Sequence, residues 1–256
     1  MKLSKSVDLK SKDVTAILRK HVYPLLKENG FNEWTSRKAW RRKGERIDTI
    51  EFCSFNDYQA AVSKCTTVSL MIRFGTALPE LNYTYDLIEG KTEGERPRES
   101  QMPIRGQLSP SSSFKKNVER AVNDIWLIED EDDAQSAARD IVKQLNEHGL
   151  RWINRTYDIT ELRAFLLQEK EWPYLEQAGL SYQRVEGGNG LCAARYDLLG
   201  ELSAALGEFK AAADYCEKAR WVGGGSRLRY PDDSFMGKHL QSLVDKYVRL
   251  SKAKVD

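Results

Sequence analysis

An acidic run, EDEDD from Glu129 to Asp133, is the densest group of carboxylates in the chain. It falls at the start of a predicted helix, where carboxylates stabilise unpaired amides and the helix dipole. Five acids in a row exceed what capping requires, so a second interpretation is an acidic patch that mimics phosphate in the basic cleft of a partner, such as a nuclease. A calcium loop is disfavoured, because its alternating ligands and turn glycine are missing. The acidic candidates for partner binding are Glu129, Asp130, Glu131, Asp132 and Asp133.

A basic stretch, RKAWRRKGERIDTIEF from Arg37 to Phe52, places six cationic residues around Trp40. Strands that carry cations and an interleaved aromatic can follow a nucleic-acid backbone and stack a base. The segment 37–46 is therefore a candidate nucleic-acid surface. Arg41 and Arg42 are also candidates for binding a protein partner.

The same stretch is typical of a β-hairpin that turns at residues 43–45, with glycine available for the left-handed position. In that register Trp40 shares a face with Ile50 and Phe52, so it belongs to the core and not to a base. Arg37, Arg41 and Lys43 then share the other face, where Glu51 of the neighbouring strand neutralises part of the charge.

The rest of the chain carries no catalytic signature. His21, His148 and His239 fall in three different predicted helices, without a neighbouring nucleophile. The glycine clusters lack the Lys-Ser/Thr of a phosphate loop. The four cysteines lie far apart with no CxxC pair, which favours buried, reduced thiols. We expect no catalytic residue, cofactor or metal site; an enzyme would need two titratable residues within hydrogen-bond reach in a buried pocket.

Composition limits the kind of partner. The 256 residues are 30% charged and 10% aromatic, which predicts a folded chain, and the net charge of +2 argues against a protein that coats nucleic acid over its whole surface. No apolar run approaches the roughly 20 residues of a membrane span, and the amino terminus lacks a signal peptide. A cytoplasmic protein with no membrane partner is predicted.

The elements of the first half predict an α+β fold. Apolar residues at helical spacing run from Val14 to Leu26, with Pro24 kinking or ending the regular helix and Gly30 as its stop. Three β-rich runs follow, and the last places Val68, Leu70, Ile72 and Phe74 on one face. The connection 79–113, rich in Pro, Gly, Glu, Arg and Ser, is typical of a mobile or functional segment, with a further strand at LNYTYDLIE. Residues 125–128 predict a strand or short helix, and a helix follows from about Asp132 to His148, with Gly149 as its stop.

From Asp158 onward every segment is helical, and one part resembles a tetratricopeptide repeat. In ARYDLLGELSAALGEFKAAADYCEKA, small residues would let two antiparallel helices approach closely while bulky ones fill the groove. Ser203 replaces the usual large aromatic, and no proline closes the unit. A plain helical hairpin is the alternative. The positions that carry the resemblance are Tyr196, Leu199, Gly200, Gly207, Phe209, Ala212 and Ala219.

The first half resembles a bacterial domain of unknown function, the DUF4304 family, over Lys12 to Trp152. The similar motifs are a helix ending in GF (ILRKHVYPLLKENGF), a basic-aromatic strand (AWRRKGERIDTIEF), VSLMIRFG, and a tryptophan segment before a helix ending in GL (IWLIEDEDDAQSAARDIVKQLNEHGL). The resemblance implies an α+β domain and a bacterial source, but no activity and no catalytic residues. We predict an α+β domain at 1–157 and a helical domain at 158–256.

Two functions compete. The first is a non-enzymatic, protein-binding protein of the kind that bacteria use as immunity proteins or antitoxins, which occludes the active site of a secreted toxin or nuclease effector. Charge complementarity would speed association, and aromatic anchors would supply affinity. The alternative is a nucleic-acid-binding protein that uses the basic hairpin 37–46.

Overall fold

A computed structural model describes most of the chain. The described residues are 9–79, 81, 96–99, 102, 104–111, 113–114, 124–167, 180–181, 193–222 and 234–253. Apart from Leu81, the predicted strand at LNYTYDLIE lies outside them, as does Cys192. Among the helices of these ranges, none combines the length and the apolar character that a membrane span requires.

The centre of the fold is an antiparallel sheet of six strands, in which sequence order and spatial order coincide. The first five strands come from the first half of the chain, and the sixth is a two-residue strand that follows residue 167. This arrangement confirms the α+β class. The strands are β1 Glu33–Trp34, β2 Lys38–Lys43, β3 Arg46–Cys53, β4 Met71–Ala77, β5 Ile104–Leu108 and β6 Leu180–Ser181.

Helices precede the sheet, lie between β3 and β4 and again between β5 and β6, and make up the described chain from residue 193 onward. The break between α1 and α2 falls at Val22, just before Pro24, as predicted. The α-helices of the described residues are α1 Ser11–His21, α2 Tyr23–Glu28, α3 Asp57–Ser63, α4 Glu131–Gln144, α5 Leu150–Arg155, α6 Ile159–Leu167, α7 Ala193–Ala205, α8 Phe209–Val222 and α9 Phe235–Ala253.

One face of the sheet forms the main core. The four residues predicted to share a face, Val68, Leu70, Ile72 and Phe74, are all buried there. The same apolar cluster includes side chains of α1 and α4, which pack on each other, and leucines of α6 and α7. The core thus continues past residue 157, and the domain boundary proposed from the sequence stays a prediction.

The β2–β3 hairpin has a different register from the predicted one. Lys43 pairs with Arg46, so the turn has two residues, with Gly44 at φ +60° where a type II′ turn requires glycine. Ala39 therefore lies opposite Ile50, and Trp40 lies opposite Thr49 on the other face. Because a one-residue change in the turn exchanges the two faces of a strand, the predicted facing of Trp40 and of the cations is wrong. Trp40 is nevertheless buried, and its indole N–H donates to the carbonyl of Pro97 at 2.9 Å.

The sequence analysis missed β5, which lies inside the connection 79–113. It pairs with β4 from Thr76–Ile104 to Ile72–Leu108. Gly106 makes this pairing possible, because a Cβ there would lie 2.4 Å from the ring of Phe74. At residues 125–128, Trp126 forms one isolated bridge with Leu70.

The helix after the acidic run does not stop at Gly149. A π-helical turn, Leu145–Gly149, joins α4 to α5, and Gly149 keeps helical dihedral angles. Its missing side chain matters for packing, since a Cβ would lie 3.3 Å from Leu108 of β5. The glycine that the sequence marks as a stop therefore serves as a contact point between helix and sheet.

In the second half, α7 and α8 form the predicted helical hairpin. Gly200 lies at their closest approach, because a Cβ there would meet Cys216 Sγ at 2.7 Å. Gly207 ends α7 with φ +75°. The close approach of small residues agrees with the sequence argument, whereas the tetratricopeptide resemblance stays a prediction.

Candidate protein-binding surface

The acidic run begins α4, and part of it caps that helix. Asp130 is the N-cap, and its carboxylate accepts a hydrogen bond from the backbone N–H of Asp133 at 2.8 Å. The buried carboxylate of Asp133 accepts in turn from the backbone N–H of Glu129 at 3.2 Å. Two of the five carboxylates thus stabilise the start of the helix, as N-cap chemistry requires.

Glu131 and Asp132 are not used in this way. Both are exposed, and neither makes a hydrogen bond or an ion pair with any residue of the described ranges. They lie in the first turn of α4, where the helix dipole favours negative charge. The fold therefore holds two carboxylates in solvent that capping does not need.

The segment before the acidic run is tied to the loop that follows α3. The hydroxyl of Thr66 donates to the carbonyl of Ile128, and the backbone N–H of Ile128 donates to Ser69 Oγ at 3.1 Å. Leu70 and Trp126 exchange two backbone hydrogen bonds, at 3.0 and 2.8 Å. The end of α3 and the start of α4 consequently meet at one junction.

Helix α3, which that loop follows, exposes two apolar side chains. Tyr58 is 78% exposed and Val62 is 65% exposed, more than any other large apolar side chain of the described residues. Residues four apart share a helix face, and tyrosine is enriched in protein interfaces. We call Tyr58, Val62, Glu131 and Asp132 the acidic–aromatic surface.

The basic hairpin has a different role, because its central cations are buried around Asp48. Arg41 on β2 faces Asp48 on β3, and its Nε donates to the carboxylate at 2.8 Å. Arg46 donates from its Nε to the other carboxylate oxygen at 3.0 Å. Asp48 is fully buried and Arg41 is 3% exposed. Arg41 therefore cannot contact a partner from the surface, which corrects its assignment as a partner-binding residue.

The two arginines also donate hydrogen bonds to backbone carbonyl groups at the ends of two helices. Arg41 donates to the carbonyl of Asn29, just after α2, at 3.1 Å. Arg46 donates to the carbonyls of Ile153 and Thr156, each at 2.8 Å, at the end of α5. Backbone carbonyls at helix ends lack an N–H donor from their own helix, and here the guanidinium groups supply one; the carbonyl of Ile153 also accepts from the hydroxyl of Thr156 at 2.7 Å. The cluster thus fastens two helix ends to the hairpin.

Tyr157 covers this cluster. Its hydroxyl donates to Asp48 at 3.1 Å, and its ring lies 3.4 Å from the guanidinium carbon of Arg46 and 4.5 Å from Lys43 Nζ. Burial, together with the charge of Asp48, raises the pKa of Tyr157 to about 12, so it remains a neutral donor at physiological pH. The burial and hydrogen bonding of these cations around Asp48 are explained by a structural role, so the cluster requires no role in binding.

The other cations of the hairpin are partly neutralised at its surface. Arg42 pairs with Glu33 at 2.6 Å, and Arg96 pairs with the same carboxylate at 3.1 Å. Lys38 lies 3.6 Å from Glu51 on the adjacent strand. Arg42 remains on the outside of the sheet, and four of the hairpin's six cations, Lys38, Arg41, Arg42 and Arg46, pair with carboxylates.

The span of the fold that carries these features also matches a known family. The family model for a domain of unknown function, DUF4304, matches residues 22–155, just over half of the chain. The chain belongs to the DUF4304 family. Neither the curated proteins nor the solved structures gave a match.

The DUF4304 span contains α2 to α5 and β1 to β5, and with them the acidic–aromatic surface and the Arg41–Asp48–Arg46 cluster. Helix α1 and Tyr157 lie outside it, as do α6 to α9. The DUF4304 part thus holds the sheet and its charge clusters, while helices outside the match cover the same core.

Two buried acids of the DUF4304 protein were missed by sequence reasoning. Asp197 on α7 lies in the interior, its Oδ1 has no hydrogen-bond partner in the described ranges, and burial raises its pKa to about 7. Glu99 is also buried, which raises its pKa to about 7, although Arg105 and Arg73 oppose the shift. The only sequence signal for Asp197 is its place among apolar residues in ARYDLLGEL.

Asp197 has ionisable neighbours on three helices. Burial raises the pKa values of Cys216 on α8 and Tyr247 on α9, and the charges of Asp197 and Glu201 add to both shifts. Within the described ranges, no three His, Cys, Asp or Glu side chains are placed to hold a metal ion.

Proposed function

We propose that this chain is a non-enzymatic, protein-binding protein of the immunity or antitoxin type. It neutralises a toxic effector by covering the effector's active site. The observation that carries the proposal is the acidic–aromatic surface: Tyr58 and Val62 are exposed on α3, and the loop after α3 is hydrogen-bonded to the segment that leads into the two unused carboxylates. Aromatic anchors supply most of the affinity in protein interfaces, and complementary charge speeds association.

The charge of the surface suits a particular class of effector. Glu131 and Asp132 are negative and exposed, so they fit a cleft that normally holds phosphate, as in a nuclease. The basic hairpin supports a nucleic-acid partner less well, because Arg41 and Arg46 are buried and Arg42 and Lys38 are paired. Under this proposal the protein is bacterial and acts in the cytoplasm, where it protects the cell that makes it.

Affinity capture with the full chain tests the proposal. Wild-type chain should recover one dominant protein from its host's lysate. The double substitution Glu131→Lys with Asp132→Lys, and separately Tyr58→Ala with Val62→Ala, should each lower that recovery at least about tenfold, the size expected when an interface loses an anchor or gains a like charge.

The matched control is Glu28→Lys with Glu45→Lys, which changes the net charge by the same amount at two exposed acids outside the surface. It should capture the partner as well as wild type does. Recovery of no dominant protein, or equal recovery by all variants, would contradict the proposal. Thermal melting of each variant separates lost binding from lost folding, since the α4 substitutions cost about 0.3–1 kcal/mol each in the helix dipole alone.

A further inference from the structure

A basic groove lies between α1 and the start of the β2–β3 hairpin, apart from the acidic–aromatic surface. Its open volume is about 820 Å³. Four cations and four hydroxyl groups line it, with Ala16 and without a carboxylate. The lining residues are Ser11, Lys12, Thr15, Ala16, Arg19, Lys20, Ser36, Arg37 and Ser54.

Arg37 is the most informative residue of the groove. Its Nη2 donates to the backbone carbonyl of Ser11 at 3.2 Å and to Ser11 Oγ at 2.9 Å, which fixes the guanidinium against α1. Its Nη1 is enclosed, yet it has no hydrogen-bond partner among the described residues. An enclosed cationic donor without an acceptor is costly, because this nitrogen is neither hydrated nor hydrogen-bonded.

The other arginines of the hairpin differ from Arg37, because each of them has a carboxylate partner. Arg41 and Arg46 share Asp48, and Arg42 has Glu33. Burial lowers the pKa of Arg37, and the groups that oppose this shift are Tyr23 and Cys53, which are neutral at pH 7. Within the described part of the chain, no carboxylate pairs with Arg37.

We propose that this groove binds a small, phosphate-bearing molecule, with Arg37 as the central donor. The guanidinium offers charge-assisted hydrogen bonds, which are among the strongest that phosphate oxygens accept. Lys12, Arg19 and Lys20 supply further positive charge along the exposed side of α1, and the hydroxyls of Ser36 and Ser54 supply neutral donors. The volume lies in the range of about 300–1,000 Å³ that small-molecule sites occupy, so the ligand is of nucleotide size. This inference does not depend on the proposed function.

Titration of the full chain with inorganic phosphate and with ATP at low salt tests the inference, using calorimetry. ATP should bind saturably at one site, more tightly than phosphate, and the affinity should fall as salt rises. Arg37→Gln should weaken binding about tenfold or more, because a charge-assisted hydrogen bond is lost. Lys12→Gln with Lys20→Gln should weaken it less, and Lys43→Gln, an exposed cation outside the groove, should bind like wild type.

Three results would overturn the inference. One is the absence of saturable binding of phosphate and ATP by the wild-type chain. Another is unchanged affinity in both Arg37→Gln and the double lysine variant; the latter alters only exposed side chains, so it stays informative even if Arg37→Gln loosens α1. The third is tighter binding of a 12-nucleotide DNA strand than of ATP, weakened by Lys43→Gln, which would indicate a nucleic-acid surface instead.

Discussion

Replacing Asp48 by alanine should lower the free energy of unfolding by about 3–5 kcal/mol, the usual cost of leaving buried charges without their partner. Two guanidinium groups, those of Arg41 and Arg46, would lose the one carboxylate that pairs with them among the described residues. Thr76 and Tyr157 would also lose the acceptor of their hydroxyl groups. Urea unfolding followed by tryptophan fluorescence measures the change.

The control for this prediction is Glu33→Ala. Glu33 also pairs with two arginines, Arg42 and Arg96, but at the surface of the sheet. Exposed ion pairs contribute about 0–1 kcal/mol, so this variant should unfold almost like wild type. If the two alanine variants were equally stable, the Asp48 cluster would not be the fastening of the hairpin that its hydrogen bonds indicate.

The protein should lose stability as pH rises from about 4 to 7. Asp197→Asn should remove much of that loss. Burial raises the pKa of Asp197 from 3.8 to about 7, so the folded chain binds this proton more tightly than the unfolded chain does. The stabilisation is complete below the unfolded pKa and is lost as pH rises through the folded pKa. Three pKa units correspond to about 4 kcal/mol, an order-of-magnitude figure.

Urea midpoints at pH 4, 5.5, 7 and 8 test this prediction. Glu99, whose pKa burial also raises to about 7, titrates over the same interval, so the single variant should keep a residual slope that Glu99→Gln reduces further. Asp214→Asn, an exposed acid on α8, should keep the wild-type slope. An Asp197→Asn variant with the wild-type slope would mean that the buried carboxylate does not titrate in this range.

The basic hairpin shows which features of the fold sequence patterns predict and which they do not. Alternation predicted two strands and a buried Trp40, and both are confirmed. The turn length was not predictable, because KGE and GE both provide a glycine at a permissive position. Because a change of one residue in turn length exchanges the two faces of a strand, the predicted register exposes Arg41, whereas the observed register buries it.

Other differences come from contacts that are distant in sequence. The strand β5 lies in a segment whose proline and glycine content is typical of loops, and its place is fixed by pairing with β4 and by the space that Gly106 leaves for Phe74. The groove around Arg37 brings together residues from α1, from the turn before β2 and from the end of β3. The spacing of these residues in the sequence does not predict that they line one groove.

The acidic run was the feature most easily predicted from the sequence, because capping and exposure both follow from its place at a helix start. Its division into capping acids and exposed acids required the structure, since Asp133 and Asp132 are neighbours with opposite burial. The hydrogen bond between Thr66 and Ile128 joins the loop after α3 to the segment before this run, and no local pattern predicts it.

Growth rescue by co-expression tests the central claim most directly. The protein captured by the wild-type chain should arrest growth when it is expressed alone in a heterologous bacterium, and co-expression of the wild-type chain should restore growth. The Glu131→Lys, Asp132→Lys variant should fail to restore it, while the Glu28→Lys, Glu45→Lys control should succeed. A captured protein that is harmless on its own, or toxicity that the wild-type chain leaves unchanged, would contradict a neutralising role.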